Sequence, residues 1–186
     1  DNFSNGSGIR VQKADTIRME NLDIRRKQFG VNMGQAVGLE FAYDHVIDVW
    51  TANNLYLSFN QYGIWQSGWV SNVRLRNIFG YINERSLIHA DAKYDWLIDG
   101  VMSQADGNFG LSPTDAPIYL STRQDVTIRH VTIAGNTADD AKHPATPPIP
   151  LMYILLERAH DATGEWYRGH VKADTLTLFG SNSDAI

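Results

Sequence analysis

The feature that most constrains this chain is an internal repeat with a fixed spacing. An apolar or small residue recurs at positions x, x+2, x+5 and x+7 in six places along the sequence. The sets are Ile17, Met19, Leu22, Ile24; Ile47, Val49, Ala52, Asn54; Val73, Leu75, Ile78, Gly80; Trp96, Ile98, Val101, Ser103; Val126, Ile128, Val131, Ile133; and Val171, Ala173, Leu176, Leu178. Asn54 is the one plainly polar member. Residues two apart on a strand face the same way, so each set reads as two short strands joined by a one-residue bend. A further strand is expected at x-8 and x-6, as Ile9/Val11, Leu39/Phe41, Trp65/Ser67, Ile88/Ala90 and Ile118/Leu120. The starts of successive sets are 30, 26, 23, 30 and 45 residues apart, so the template is constant while the connections vary. Three short strands per turn make a coil. One coil cannot bury its own apolar face, but stacked coils share a continuous interior. A helical alternative fails because the 3.6-residue pattern is absent and β-branched residues dominate the periodic positions.

Composition narrows the function classes. With 186 residues, 43% hydrophobic and 20% charged, the chain has the profile of an ordinary globular domain, and 1–186 reads as a single domain. Its 16 Lys+Arg against 21 Asp+Glu leave a formal charge of -5, which lacks the chain-wide basic footprint of a nucleic-acid or anionic-membrane binder. No run of about 18 apolar residues occurs. The absence of cysteine excludes disulfides, thiolate metal sites and a cysteine nucleophile. His45, His130, His143, His160 and His170 show no ligand spacing, so neither a metal nor another cofactor is expected. An opening of DNFSNGSG, without obvious caps on the repeat, suggests a piece of something longer.

The runs GIRVQKADTIRMENLDI (Gly8 to Ile24) and PIYLSTRQDVTIRHVTI (Pro117 to Ile133), with the same spacing in four further coils, resemble the pectate-lyase-like superfamily. The resemblance spans about Gly8 to Leu178. It implies an all-β fold, a single-stranded right-handed parallel β-helix of about six coils with loop inserts. That superfamily includes polysaccharide lyases, glycosidases, uronate epimerases and bacteriophage tailspikes, so fold alone selects no activity. The epimerase-type DPHD motif is missing, the nearest segment being His89-Ala90-Asp91-Ala92, and the calcium-binding aspartates of secreted pectate lyases are not recognisable. The cysteine-free sequence, long inserts and many aromatics are most similar to a tailspike or depolymerase domain. That likeness implies a homotrimer acting on a polysaccharide, outside the cell or on a virion surface.

Stacking converts sequence into neighbours, because equal template positions form columns about 4.8 Å apart per coil. The outward column at x-7 reads Arg10, Glu40, Gln66, His89, Tyr119, and the parallel one at x-5 reads Gln12, Ala42, Gly68, Asp91, Ser121. Glycoside hydrolysis needs a protonated carboxyl and a carboxylate, roughly 6.5 to 9.5 Å apart in an inverting enzyme. Glu40 and Asp91, two coils or about 10 Å apart by backbone, form the expected acid/base pair. His89 is expected to tune their protonation, and Arg10, Gln66 and Tyr119 to orient the sugar. A lyase would instead use His89 or Tyr119 as base, with Arg10 neutralising a uronate carboxylate. Trp50, read as outward, and Trp69 are the candidates for stacking on sugar rings, whereas Trp65 and Trp96 are read as core. The column at x+3, Glu20, Trp50, Arg76, Asp99, Arg129, Asp174, is expected to form surface ion pairs between coils. Inserts at 25–36, 104–116, 134–150 and 157–168, the first opened by Arg25-Arg26-Lys27, are expected to wall a groove along the stack. The leading reading is a hydrolase of a bacterial surface glycan. The alternatives are a non-catalytic glycan-binding domain or structural shaft, and a uronate polysaccharide lyase. An outward column in an acidic chain also collects Glu, Asp, Arg and His as plain solvated surface.

Overall fold

The computed structural model describes residues 4–11, 14–33, 47–66, 70–92, 95–107, 112–122, 124–134, 150–156, 158–160 and 166–179. Among them the chain is all-β, with a 3-10 turn at Pro113–Asp115 as its one helical element. Two six-stranded parallel sheets carry the architecture. The first is ordered β1-β3-β5-β7-β9-β11 and comprises β1 (Ser4–Val11), β3 (Lys27–Met33), β5 (Tyr62–Gln66), β7 (Ile88–Ala92), β9 (Ile118–Thr122) and β11 (Met152–Leu156). The second comprises β2 (Ala14–Arg25), β4 (Ile47–Ser58), β6 (Val73–Tyr81), β8 (Trp96–Gln104), β10 (Val126–Ala134) and β14 (Val171–Phe179), side by side in that order. A short antiparallel pair, β12 (Arg158–His160) with β13 (Trp166–Arg168), lies in the last connection. Each repeat thus adds one strand to each sheet.

The x, x+2, x+5, x+7 template is the inward face of the second sheet. Its three-residue step has a definite cause. The residue at x+4 is left-handed in every repeat: Asn21, Asn54, Asn77, Gly100, His130 and Thr175 have φ between +48° and +69°. It falls between two stretches of regular pairing, and the next pair of side chains then points inward again. Asparagine and glycine tolerate this conformation best, which is why they fill four of the positions. Among the described residues a second left-handed residue follows four strands of the second sheet, β2, β4, β6 and β8, at Arg26, Phe59, Ile82 and Ala105. The N–H of each donates to the residue ending the next strand, as in Phe59 N to Tyr81 O at 3.1 Å.

Behind that second corner runs a buried polar column: Asn60, Asn83 and Asp106, 0%, 0% and 3% exposed. Asn60 Nδ2 donates to Asn83 Oδ1 (3.0 Å) and to Ile24 O (3.1 Å), and Asn83 Nδ2 donates to Asp106 Oδ1 (2.8 Å) and Leu57 O (2.8 Å). The backbone N–H of each asparagine donates to the next rung, Asn60 N to Asn83 Oδ1 and Asn83 N to Asp106 Oδ1. Turn amides that would be orphaned in the interior are satisfied this way.

One apolar cluster fills the space between the sheets, drawing Val31, Ile64, Ile88 and Ile118 from the first and Leu55, Leu75, Ile98 and Ile128 from the second. Five of the six template sets fall in register as expected. The second is displaced by three residues: Ile17, Met19, Leu22 and Ile24 pair with Trp50, Ala52, Leu55 and Leu57. The template overlaps itself under a shift of three, because x+5 in one register is x+2 in the other, and Ala52 serves both. Asn54 is therefore a left-handed corner residue, and Trp50 is not outward but fully buried, edge-on to Trp96 at 6.4 Å. Asn53 takes its place beside Glu20 and Arg76.

The first sheet departs further. Its second strand is β3, with Val31 in the inward column, so residues 25–33 are strand and corner, not a loop wall, and the expected Leu39/Phe41 lie outside the described residues. In β5, Ile64 and Gln66 stand in register with Ile88 and Ala90, which reverses the faces of Trp65 and Gln66. Gln66 is buried, and Trp65 belongs to the outer column. A strand this short offers two template positions and no internal check, so a one-residue slip passes unnoticed.

Candidate functional site

The corrected outer column of the first sheet reads Arg10, Asn32, Trp65, His89, Tyr119, Tyr153. Four consecutive rungs are aromatic or imidazole rings, and they touch. Trp65 stacks on His89 at 4.2 Å with 10° between planes, His89 meets Tyr119 at 4.6 Å, and Tyr119 stacks on Tyr153 at 5.8 Å. Phe29 and Tyr62, three residues upstream in β3 and β5, join the near end. Phe29 lies over Tyr62 at 5.8 Å, while Tyr62 stands edge-on to Trp65 (4.6 Å) and His89 (5.4 Å). Parallel pairing at about 4.8 Å per strand brings equal positions to ring-stacking distance, so the ladder follows directly from the register. Such ring pairs contribute about 0.5–1.5 kcal/mol each beyond area burial. Trp65, His89, Phe29 and Tyr153 are half-buried, whereas Tyr62 and Tyr119 are nearly closed off.

Polar groups gather at one flank of the ladder. The connection after β6 carries Arg85, whose Nη1 donates to the Tyr62 hydroxyl at 2.8 Å and sits 3.7 Å from Asp115 Oδ1. The guanidinium carbon lies 5.6 Å from the Tyr62 ring centre. Asp115 closes the 3-10 turn, which Pro113 opens in its favoured first position. The buried carboxylate accepts from Ser112 N (3.2 Å) and from the Tyr62 hydroxyl (3.4 Å). The same turn aims the Thr114 carbonyl at His89 Nδ1, 3.1 Å away. A carbonyl only accepts, so Nδ1 carries the proton and Nε2 presents a lone pair. Burial holds the imidazole pKa down to about 4, so the ring is neutral near pH 7. Burial likewise raises the Tyr62 phenol. What this arrangement offers chemically is a row of rings, partly exposed at Trp65, His89 and Tyr153, that includes one neutral imidazole acceptor and is flanked by one cation and one buried carboxylate.

The expected site residues fare unequally. His89 and Tyr119 stand together on the ladder, and Arg10 is an exposed residue at its far end. Gln66 and Trp50 are interior and cannot touch a ligand on this face. Glu40 and Trp69 lie outside the described residues. The rung assigned to Glu40 is occupied by Asn32. The Asp91 backbone lies in β7, two residues beyond His89 and in register with Ser121, but its side chain is outside the described part. On the second sheet's outer face Arg76, Asp99, Arg129 and Asp174 stand in register, but the side-chain hydrogen bonds between strands are Asn54 to Asn21, Asn77 to Asn53 and His130 to Asp99, and no Arg–Asp pair of this column forms an ion pair among the described residues. Sequence reasoning missed Arg85, Asp115, Tyr62 and Phe29. The two aromatics were discoverable, because Phe29 and Tyr62 repeat at equal distance before Asn32 and Trp65, but only in the correct register. Among the described residues no cluster of three His, Cys, Asp or Glu could hold a metal, and no helix is long and apolar enough to cross a membrane.

Compared with protein-family models, curated proteins and solved structures, the chain matches none.

Proposed function

We propose that this chain is a right-handed parallel β-helix that binds a polysaccharide along the outer face of its first sheet. The observation that carries the reading is the continuous ring ladder through Trp65, His89, Tyr119 and Tyr153. A polymer that repeats along its length suits a surface that repeats at each strand. Rings with an apolar body and a polar tip suit sugars, which present both C–H patches and hydroxyls. The fold has no packing need to leave Trp65, His89 and Tyr153 partly exposed in one row. The tailspike-like homotrimer and the extracellular or virion-surface setting belong to the same proposal.

Cleavage is the second reading, favoured by the placement of Asp91 two residues after His89 on β7. It would make the domain a glycosidase, with Glu40, which lies outside the described residues, as the other carboxyl of the pair.

Affinity electrophoresis against a panel of bacterial capsular and O-antigen polysaccharides tests both. Retardation by at least one polymer is expected, and Trp65→Ala should weaken it about ten-fold or more. The control Phe79→Ala removes a ring stacked on Tyr56 on the opposite sheet and should leave binding intact. Binding that survives Trp65→Ala sinks the ladder reading. New reducing ends that vanish in Asp91→Asn would establish cleavage, and ultraviolet absorbance from unsaturated uronates would mark a lyase.

A further inference from the structure

Resting on the glycan reading above, we infer that the Arg85–Tyr62–His89 flank of the ladder selects a neutral, hydroxyl-bearing sugar unit and disfavours a uronate or other anionic one. Arg85 is the cation at this flank, and its charge is already answered. The Asp115 carboxylate lies 3.7 Å from its Nη1, and Glu84 is its neighbour in sequence. An incoming carboxylate would meet the repulsion of Asp115 together with the attraction of Arg85, while losing its own hydration in a half-buried place. The other cation of this column, Arg10, is three strand steps from His89, through Asn32 and Trp65, or about 14 Å. It cannot neutralise an acid group held at His89.

The hydrogen-bonding pattern points the same way. Arg85 and His89 stand beside the same ring, 5.6 Å and 5.4 Å from the centre of Tyr62. Among the described residues Arg85 uses Nη1 alone, leaving Nε and Nη2 as donors. His89 spends its one N–H on Thr114 O, leaving Nε2 as an acceptor. A donor and an acceptor beside one ring complement hydroxyls, since each hydroxyl both gives and takes a proton. A carboxylate only accepts, so it would leave Nε2 facing a lone pair. The depressed basicity of His89 keeps this pattern unchanged across the neutral range.

The test uses matched polymers: polygalacturonate, alginate and hyaluronan, each beside its carboxyl-reduced form, together with neutral dextran and mannan. The intact chain should bind its best neutral or reduced polymer at least ten-fold tighter than the acidic parents. That binding should stay level from about 50 mM to about 500 mM NaCl, where exposed charge attraction is screened. Asp115→Asn uncovers Arg85 and should raise affinity for the acidic forms several-fold. Because this variant also loosens the Ser112–Asp115 turn, the salt series on the unaltered protein decides independently. Tighter binding to acidic polymers, falling as salt rises, overturns neutral selection and leaves the glycan reading standing. Retention of no polymer in either charge form removes the glycan reading and this inference with it.

Discussion

In four of the repeats the chain turns twice through a left-handed residue, and the two corners are built on opposite principles. The corner at x+4 is held by Asn21, Asn54, Asn77, Gly100, His130 and Thr175, mostly residues that enter the left-handed region at low cost. Its side chains face solvent, and Asn54 Nδ2 to Asn21 Oδ1 and Asn77 Nδ2 to Asn53 Oδ1 are exposed bonds. The corner at the strand end has the same φ at Arg26, Phe59, Ile82 and Ala105, none of which favours it. For β-branched Ile82 the conformation is strained. What holds this second corner is the buried Asn60–Asn83–Asp106 column just behind it. One corner rests on local preference, the other on tertiary hydrogen bonds that override it.

The comparison breaks most visibly at Asn83. Asn83→Ala removes its side-chain bonds to Leu57 O and Asp106, leaves Asn60 N without its acceptor and takes from Asn60 Nδ2 one of its two, all in the interior. Unsatisfied buried groups cost about 1–3 kcal/mol each, so a loss of about 3–5 kcal/mol is expected in denaturant unfolding. A loss below about 1 kcal/mol would mean that the column does not carry the corner.

Asp106 sharpens the contrast through pH. It stands where the column would repeat an asparagine. Its Oδ1 accepts from Asn83 and its Oδ2 from Ser103 Oγ at 2.6 Å. Full burial raises its pKa from 3.8 to about 7. The folded state therefore holds a proton that the unfolded chain releases, and the Asp106 contribution to stability is complete below pH 3.8 and is lost as pH rises through about 7. Asp106→Asn keeps a neutral rung at every pH. The variant's gain over the parent should be on the order of 1–3 kcal/mol larger at pH 8.5 than at pH 5. Equal differences at both pH values would show that the carboxyl is not the titrating group.

The same contrast explains what was legible in the sequence. The second sheet is bracketed by a corner that advertises itself, since Asn and Gly at x+4 mark the three-residue step. Its inward set is thus readable in five repeats. In the second repeat the unshifted template puts Asn54 on the inward face as a polar intruder, although with Asn21 and Asn77 it forms the corner column. Once that register moves, Asn60 aligns with Asn83 and Asp106, and the buried column becomes visible as well. The strand-end corner advertises nothing, because Phe59, Ile82 and Ala105 carry no left-handed preference. Beyond it the first sheet starts without a marker, and Gly63-Ile64-Trp65-Gln66 gives no clean alternation from which to choose a face. The candidate site lies on that sheet. His89 and Tyr119 fall in one column, as the clear alternation of Ile88/Ala90 and Ile118/Leu120 implies. Arg85 and Asp115 come from connections, where template arithmetic has no reach.

The smallest effect separates the corners most cleanly, through glycine. At Ala105, φ is +56° and the β-carbon is a penalty without compensation from preference. Ala105→Gly should remove it, at the cost of a larger unfolded-state entropy, for a net gain of up to about 1 kcal/mol. At Asn77, φ is +51° and the native residue already tolerates the conformation. Asn77→Gly gives up only the exposed bond to Asn53 and should stay within about 0.5 kcal/mol of the parent. Paired urea melts measure the difference. If Ala105→Gly gains nothing while Asn77→Gly loses more than about 1 kcal/mol, the assignment is reversed: the exposed corner would depend on its side-chain bonds, and the buried one would have relaxed its strain.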